Sequence, residues 1–427
     1  MSSRMSSPVS SAIARLVGDD LPIAIETYDG GRVGPADAPA TLSIRSPDAL
    51  RRIVAAPGEL GIGRAYVAGE IDVEGDIYVA LSALRARMPS VHIRAGEVAR
   101  LVRLLGGDAL KPLPPPPEEA RLRGRRHSKA RDAEAISHHY DVSNDFYRMV
   151  LGPSMTYSCA VWSSPSDTLE DAQTAKYELI CRKLGLREGM RLLDLGCGWG
   201  GMVMHAARHR GVQAVGVTLS REQAGWAQKA VAEEGLAGSV EIRLQDYRDV
   251  RDGPFDAISS IGMFEHVGLR NLGRYFRGMY RVLRPQGRLL NHGISRPAAR
   301  RSPRGPRPPV TRARLGRNSF ANRYVFPDGE LHEVGAVIST MQAAGFEVRH
   351  AESLREHYAL TLREWVRNLE SNWVEAVAEV GATRARIWRL YMAASALNFE
   401  AGRTQVHQIL GARSRGGRSG MRLRSDW

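Results

Sequence analysis

The sequence predicts an α/β protein in which a doubly wound, mostly parallel sheet is preceded by a small α+β domain. Two observations predict the sheet. Five short apolar runs alternate with stretches of helical spacing between residues 191 and 294, and a glycine-rich turn follows the first run. Strands buried on both faces read as continuous apolar runs, and their alternation with helices is typical of parallel sheets. A proline-rich basic stretch separates this region from the first hundred residues and predicts a domain boundary there.

Composition is that of an ordinary globular protein, with 43% hydrophobic and 25% charged residues. The 427 residues exceed one typical domain of roughly 100–200 residues, which favours two domains. No uninterrupted apolar stretch reaches the ~18 residues of a membrane span, and Asp19 and Asp20 interrupt any signal-peptide core. We therefore expect a cytoplasmic protein. The net charge of +14 favours polyanionic partners, and anionic lipid surfaces and nucleic acids both fit.

Cysteine usage argues against disulfides and structural zinc. Cys159, Cys181 and Cys197 are too few and too unevenly spaced for a disulfide framework or a four-ligand zinc site. A reducing compartment fits this pattern, and we expect no metal site.

The first domain is predicted to span residues 1–110. Alternating apolar residues at 21–28 and 41–45 predict two strands joined across the turn at Asp29, Gly30 and Gly31. Helical spacing follows in three segments, 47–54, 76–87 and 95–105. A linker is predicted at 111–134, where the prolines of 114–117 end regular structure and a basic stretch forms an exposed tether.

The second domain is predicted to span residues 135–427. Its predicted strands are 191–195, 212–217, 240–244, 255–261 and 287–294, with helices at 201–210, 220–234 and 270–283 between them. Helical spacing at 331–344 and 362–399 predicts a helical lid or wall over this sheet.

Positive charge concentrates in three tracts, 121–131, 296–317 and 413–424. Proline and arginine in 296–317 predict a loop without stable helix or strand, and the glycine-rich segment 412–427 predicts a mobile tail. Solvated basic segments and contacts with phosphate head groups both remain open for these tracts.

The glycine-rich turn predicts a nucleoside-binding site. Gly196, Gly198 and Gly200 follow a strand and open a helix, where the backbone can approach a ligand closely. Asp194 precedes the first glycine by two positions. This pattern resembles the first motif of Rossmann-like methyltransferases, in which Asp194 would lie close to the ammonium group of S-adenosylmethionine.

The remaining cofactor contacts are predicted from the ends of the next two strands. The second strand ends at Thr218 without the carboxylate that commonly grips the ribose, and Gln223 is positioned to supply the missing hydrogen bonds. Asp246 and Tyr247 follow the third strand, where the adenine edge is usually read.

Further stretches resemble the cyclopropane fatty acid synthases and the mycolic acid cyclopropane synthases. They are HHYDVSNDFY at 138–147, SMTYSCA at 154–160, GMFEHVG at 262–268 and YVFPDGE at 324–330. The resemblance runs from about residue 135 to 410. The stretch GRAYVAGE at 63–70 extends it to the N-terminal domain of the longer members that act on phospholipids, which implies that residues 1–110 form a lipid- or partner-facing module.

The resemblance implies methyl transfer from S-adenosylmethionine to a cis double bond of a phospholipid acyl chain, followed by proton loss and closure of a cyclopropane ring. Tyr157 and Ser158 would contact the methionine part of the cofactor. A bound bicarbonate would assist proton loss, held by Cys159, Glu265, His292, Ile294 and Tyr358. Its anion would also stabilise the positive charge that develops on carbon.

The same methyl transfer with a different proton loss gives a 10-methylene chain, which a partner reductase converts to 10-methylstearate; this remains the alternative product. A lipid-surface protein with an inactive methyltransferase fold disagrees with the intact glycine turn and the five matched residues. A nucleic-acid methyltransferase would need a base-binding module, and none is found. The expected partners are an unsaturated membrane phospholipid, an anionic membrane surface at its inner face and a second copy in a homodimer, with no nucleic acid.

Overall fold

The computed structural model describes residues 7–18, 21–87, 103–106, 111, 113–120, 124, 126–140, 142–298, 319–425 and 427. The chain divides into two compact units. Unit 1 combines residues 1–120, 318–325 and 380–397, and unit 2 combines residues 121–317, 326–379 and 398–427. The sequence predicted one boundary near residue 111–134. It assigned 318–325 and 380–397 to the second domain, whereas the structure packs them within unit 1.

Unit 1 is a four-stranded sheet with helices, in the order β2-β1-β3-β4. The helices of its first segment are α1 (Pro8–Val17), α2 (Pro47–Ala55), α3 (Glu59–Val67) and α4 (Ile77–Arg87), and the strands are β1 (Ala24–Thr27), β2 (Arg32–Val33), β3 (Ala40–Ile44) and β4 (Ile71–Gly75). Both predicted strands and the first two predicted helices are present. The third predicted helix, 95–105, falls largely outside the described residues, which resume at residue 103.

The pairing of the first strands differs from the prediction. The turn at Asp29 to Gly31 joins β1 to the two-residue β2, and β1 pairs with β3 in parallel. Parallel neighbours cannot be joined by a tight turn, so the chain passes through β2 before it reaches β3. The strand β4, which the sequence did not predict, pairs antiparallel with β3.

A buried carboxylate ties the separate segments of unit 1 together. Glu119 is 4% exposed and accepts two hydrogen bonds from Arg64 of α3. Arg323 and Tyr324, in α12 (Phe320–Tyr324), also contact it. Because a buried charge is costly unless it is paired, these contacts hold α12 within unit 1.

Unit 2 is built on a seven-stranded sheet in the order β11-β12-β9-β8-β5-β6-β7, with the short β10 added beside β9. The strands are β5 (Arg191–Leu195), β6 (Gln213–Thr218), β7 (Val240–Leu244), β8 (Phe255–Ile261), β9 (Leu283–Arg296), β10 (His332–Glu333), β11 (Glu347–Ser353) and β12 (Gln405–Ala412). Strands β5 to β9 pair in parallel, as predicted. Strands β11 and β12 were not predicted, and they extend the sheet antiparallel from β9.

Helices cover both faces of this sheet. The helices of unit 2 are α5 (Lys129–Tyr140), α6 (Asn144–Leu151), α7 (Leu169–Leu184), α8 (Gly201–Arg210), α9 (Arg221–Glu233), α10 (Phe264–Val267), α11 (Leu269–Val282), α13 (Val334–Ala343), α14 (Arg355–Ser371) and α15 (Trp373–Val380). Helix α16 (Ala382–Glu400) begins in unit 1 and ends in unit 2. Neighbouring residues Leu192 and Leu193 belong to different apolar clusters, which shows that β5 is buried on both faces. No helix among the described residues has the length and apolar character needed to cross a membrane.

In the described part of the predicted tether at 111–134, two arginines are paired with a buried acid. Residues from Lys129 onward form α5, and Arg126 and Arg131 both bind the carboxylate of Asp328. Asp328 is 8% exposed, and the two guanidinium groups hold its pKa below the usual range despite burial. The buried acid therefore neutralises charges that the sequence presented as solvated.

The other two basic segments have different outcomes. Most of the predicted loop at 296–317 lies outside the described residues, although Arg296 at the end of β9 pairs with Glu333. The predicted mobile tail makes packing contacts. Arg413 donates to the carbonyl of Tyr280, and Met421 and Trp427 pack against the apolar cluster that contains Leu192. These two apolar residues anchor the tail, although its basic and glycine-rich composition predicted a mobile segment.

Candidate active site

The glycine turn lies at the carboxyl end of β5, whose neighbours β6 and β8 run to opposite sides of the sheet. Crevices at this topological switch point are the usual ligand sites of open α/β sheets. Gly196 has φ +75°, and a Cβ on it would overlap the side chain of Met263. Gly198 has φ +55° and faces open space. The turn thus needs glycine at 196 for both backbone conformation and close approach.

A pocket at this turn collects most of the predicted cofactor residues. Its lining includes Tyr157, Ser158, Asp194, Gly196, Gly198, Thr218, Gln223 and Tyr247. Gly200 does not line it; this residue precedes α8 with φ +87°, and a Cβ would lie 3.3 Å from that of Ala227. Asp246 does not line it either, and both of its carboxylate oxygens accept from Arg248. Gln245 takes its place in the lining.

Asp194 is buried at the base of the pocket and accepts a hydrogen bond from Ser259 Oγ at 2.6 Å. Burial raises its pKa to about 6, although Ser259 and the charge of Lys176 act in the opposite direction. A carboxylate with this pKa is ionised at neutral pH and attracts the ammonium group of an amino-acid ligand.

Gln223 occupies the position where an acid was missing. Thr218 Oγ1 donates to Gln223 Oε1 at 2.8 Å, and both side chains are buried. With its oxygen held in this way, the amide nitrogen of Gln223 is left as a donor for a ligand hydroxyl.

Sequence reasoning missed Lys176, a fully buried lysine of α7 that lines the same pocket. Its Nζ donates to Ser158 Oγ at 3.0 Å and lies 4.1 Å from the centre of the Tyr177 ring. Burial lowers its pKa to about 7. The available signal was its place on the apolar face of an amphipathic helix, at helical spacing from Ala172 and Ile180.

Glu265 and Ile294 are joined directly, as expected of two members of one site. Glu265 Oε1 accepts from the Ile294 amide at 2.5 Å. Its other oxygen, Oε2, is buried and has no hydrogen-bond partner among the residues that the structure describes. Burial raises the pKa of Glu265 to about 7. The backbone of Glu265 accepts from the amide of Glu330, within the motif at 324–330.

His292 lies on β9, with Nδ1 at 3.2 Å from the Gln408 amide nitrogen. Its Nε2 is buried without a hydrogen-bond partner in the described part of the chain. Burial and nearby positive charge, first that of Lys176, lower its pKa to about 3, so the ring is neutral at physiological pH.

Cys159 and Tyr358 meet at one backbone carbonyl. Cys159 Sγ lies 3.6 Å from the oxygen of Leu354, which also accepts from the Tyr358 amide at 3.1 Å. Cys159 is fully buried, and burial raises the pKa of its thiol well above the usual range. The group is therefore a protonated thiol.

The motif at 138–147 is only partly described. Asn144 accepts from the Trp199 indole at 2.7 Å, which fastens α6 to the glycine turn. Asp141 and the side chains of His138, His139 and Tyr140 lie outside the described residues.

The profile of the family described as mycolic acid cyclopropane synthetase matches residues 127–409, which include the glycine turn and all five predicted catalytic residues. The chain belongs to this family. It is a methyltransferase that depends on S-adenosylmethionine and acts on fatty acids. The predicted family, fold class and enzyme class are confirmed.

Three curated relatives span nearly the whole chain. A probable fatty acid methyltransferase of Mycobacterium tuberculosis is 48% identical over 91% of this chain and 90% of its own. The cyclopropane-fatty-acyl-phospholipid synthase of Escherichia coli is 34% identical over 90% and 91%. The tuberculostearic acid methyltransferase of M. tuberculosis is 34% identical over 94% and 90%.

A solved structure supports the same fold. The crystal structure of a mycolic acid cyclopropane synthase complexed with SAH and CTAB matches with a TM-score of 0.59 and 33% identity. The match covers 65% of this chain and 97% of that one. Its bound SAH is the demethylated form of the predicted methyl donor.

Proposed function

We propose that this protein transfers the methyl group of S-adenosylmethionine to the cis double bond of an unsaturated phospholipid acyl chain and closes a cyclopropane ring. One observation carries the proposal. Glu265 Oε2 and His292 Nε2, from two members of the matched set, are both buried and without hydrogen-bond partners among the described residues. Because buried polar atoms are nearly always paired, two such atoms in one matched site indicate a bound polar group.

The residues present fit bicarbonate. Neutral His292 has a ring nitrogen for an anionic oxygen. Glu265 Oε2, which has no hydrogen-bond partner among the described residues, can accept from the hydroxyl of the ion when the carboxyl group is ionised. When bound, this ion supplies a base and a compensating negative charge. Lys176 is close enough for its charge to lower the pKa of His292, so a cation borders the proposed anion site.

The reaction depends more on alignment of the alkene with the sulfonium methyl than on a strongly acidic or basic side chain. The alkene attacks the sulfonium methyl, the sulfur–carbon bond breaks, and the resulting cation loses a proton from the transferred methyl as the ring closes. Glu265, whose pKa is about 7, is matched to holding or passing that proton at neutral pH. Burial of Cys159 and His292 excludes water, which would otherwise trap the cation.

Aromatic faces support the cationic step. Tyr157 lines the cofactor pocket, and its ring centre lies 5.2 Å from that of the fully buried Trp365. Tyr358 lies edge-on to the same indole at 5.9 Å. Ring faces attract positive charge most strongly when water is excluded.

We propose that an anionic membrane surface presents the acyl chain and that the enzyme binds its cytoplasmic face as a peripheral protein. A second pocket of about 390 Å³ supports this role. Four exposed arginines line it, one in the loop before β8 and three on α11: Arg251, Arg274, Arg277 and Arg281. Guanidinium groups at this density suit phosphate head groups. A lipid- or partner-facing role of residues 1–110 and a homodimer remain predictions.

The alternative product is the 10-methylene chain, with a separate reductase as partner. The relatives named for cyclopropane formation in E. coli and for tuberculostearic acid in M. tuberculosis are both 34% identical to this chain. Overall identity therefore does not separate the two products. The complete set of bicarbonate-site residues favours ring closure as the first proposal.

The test is expression in a bacterium that lacks its own cyclopropane synthase, with oleate supplied and fatty acid methyl esters analysed by gas chromatography and mass spectrometry. A cyclopropane ester of the chain extended by one carbon supports the proposal, and Glu265→Gln should abolish it. A branched or 10-methylene ester would establish the alternative. Absence of any new ester, from soluble protein that binds S-adenosylmethionine, would reject both products for this substrate.

A further inference from the structure

A row of buried side chains leads from the edge of unit 2 to His292. Lys183 at the end of α7 donates from Nζ to Gln408 Oε1 at 2.7 Å, and Gln408 Nε2 lies 3.2 Å from His292 Nδ1. All three residues are at most 2% exposed. Lys183 also pairs with Glu352, a half-exposed residue of β11. The row therefore joins the histidine to a fixed ammonium group.

The strand register places Gln408 beside His292. Strands β12 and β9 pair antiparallel, with Gln408 directly opposite His292. Side chains opposite each other in an antiparallel pair lie on the same face at close range. The contact is thus fixed by backbone pairing.

The chemistry of the row determines the direction of each hydrogen bond. A protonated lysine can only donate, so the atom of Gln408 facing Lys183 must be the amide oxygen. The amide nitrogen, which can only donate, then faces His292 Nδ1. Neutral imidazole carries one proton, and a nitrogen that accepts from an amide cannot be the one that bears it. The proton therefore resides on Nε2.

We propose that Lys183 and Gln408 are positioning residues that hold His292 as the Nε2–H tautomer. Its buried Nε2, for which the described part of the chain offers no hydrogen-bond partner, is then a fixed donor to the anion. The use made of this donor rests on the proposed function, whereas the tautomer does not.

A fixed donor limits what the site accepts. His292 Nε2–H requires an acceptor, because this atom is buried and has no hydrogen-bond partner among the described residues. An oxygen of a small oxyanion such as bicarbonate meets this requirement. The row therefore selects a ligand that presents an acceptor to His292.

The test is nitrogen NMR of the full-length protein carrying ¹⁵N-labelled histidine, with the His292 signals assigned by their loss in His292→Asn. The proposal expects Nδ1 at the shift of an unprotonated ring nitrogen and Nε2 at that of a protonated one. The opposite pattern, or an averaged pair of shifts from rapid exchange, would overturn it. This measurement needs neither lipid nor turnover.

Gln408→Glu reverses the polarity of the row, because a carboxylate held by Lys183 can only accept from His292. We expect the ring to move its proton to Nδ1 or to become cationic, with methyl transfer falling about 10- to 100-fold, the usual effect of losing an orienting partner. The KM for added bicarbonate should rise, while binding of S-adenosylmethionine stays the same. Lys183→Met, which releases the amide, should give mixed tautomers.

The matched control is Gln228→Glu, since Gln228 donates its amide hydrogen to the Ile242 carbonyl on another part of the sheet. It should leave the His292 shifts and the activity unchanged. If Gln408→Glu is unfolded, the wild-type spectrum still decides the proposal. An Nε2–H tautomer in a protein that gives no lipid product would reject the proposed function and leave the positioning role intact.

Discussion

Glu265 couples the active site to folding through its pKa. The pKa rises from 4.5 to about 7 on burial, so the folded state favours the neutral acid. The stabilising effect of that proton is complete below pH 4.5 and is lost as pH rises through 7, with a loss of up to about 3 kcal/mol. Glu265→Gln keeps a neutral group at every pH, so it should unfold at higher urea concentration than wild type at pH 8.

Urea unfolding at pH 4.5 and pH 8 measures the difference in midpoint between Glu265→Gln and the wild type. This difference should vanish at pH 4.5. Glu375→Gln, at an exposed position of α15, is the control and should leave both midpoints in place. A variant that is less stable than wild type at pH 8 would contradict the assignment of Glu265 as a destabilising buried charge.

Lys176 holds Ser158, and both residues line the cofactor pocket. Lys176→Met should weaken binding of S-adenosylmethionine about tenfold, because the hydrogen bond that holds Ser158 is lost. Calorimetric titration measures this, and Ser158→Ala should cause a similar loss. The double variant should be little worse than either single variant. Additive losses would show that Lys176 acts on the cofactor by another route.

The predicted cofactor residues that line the pocket are those with a local pattern, such as Gly196 after a strand or Gln223 in the first turn of a helix. Gln408 and Lys176 lack such a pattern. Gln408 reaches His292 only because β12 pairs with β9, and Lys176 reaches the cofactor pocket only because α7 lies beside it. Asp246 is the opposite case. Its position in the sequence fits a ligand contact, but in the structure its carboxylate binds Arg248.

At the scale of elements, β9 leaves room for the Glu265 side chain because residue 293 is a glycine. A Cβ on Gly293 would clash with the Phe264 ring and lie 3.0 Å from Glu265 Oε1. Gly293→Ala should therefore destabilise the protein by about 1–3 kcal/mol and reduce activity strongly. Thermal unfolding and product analysis check both effects. In contrast, Gly225→Ala, in α9 with open space around it, should raise stability by up to about 1 kcal/mol without loss of activity.

Helix α11 presents the arginine face of the proposed membrane surface. Replacing Arg274 and Arg277 together by glutamine should weaken binding to phosphatidylglycerol vesicles at least tenfold, since each arginine contributes about 1 kcal/mol near an anionic surface. Sedimentation with vesicles measures the affinity. Arg182→Gln with Arg221→Gln, two exposed positions on other helices, is the matched control. Equal affinity for both double variants would place the membrane contact elsewhere.

The elements that the sequence did not predict share a physical reason. Strand β11 lies at the edge of the sheet and no residue of it is fully buried, so apolar residues do not alternate along it. Strand β12 pairs with strands distant in sequence. Its apolar residues follow closely on those of helix α16, so the sequence shows no clear boundary between helix and strand. The parallel strands were recognised because burial on both faces leaves continuous apolar runs.

At the scale of the whole molecule, unit 1 is discontinuous in sequence. Segment 380–397 contributes fully buried residues such as Ala385, Met392 and Ala396 to the described structure. A fragment of residues 121–427 should therefore expose this apolar surface and aggregate on size-exclusion chromatography. A monomeric fragment that binds S-adenosylmethionine as well as the full chain does would contradict this expectation. The sequence could not show this arrangement, because no local pattern records which distant segments share a core.

The three-part composition of unit 1 also orders events on the ribosome. The first 120 residues emerge early, but the unit is complete only when residue 397 has been synthesised. At elongation rates of about 5–20 residues per second, the interval is roughly 15–55 s. During that time α3, α4 and β4 lack the partners in segment 380–397 that later contact them. We therefore expect the nascent chain to expose apolar segments that chaperones bind, and the start of the protein to reach its final fold after most of unit 2 has been synthesised.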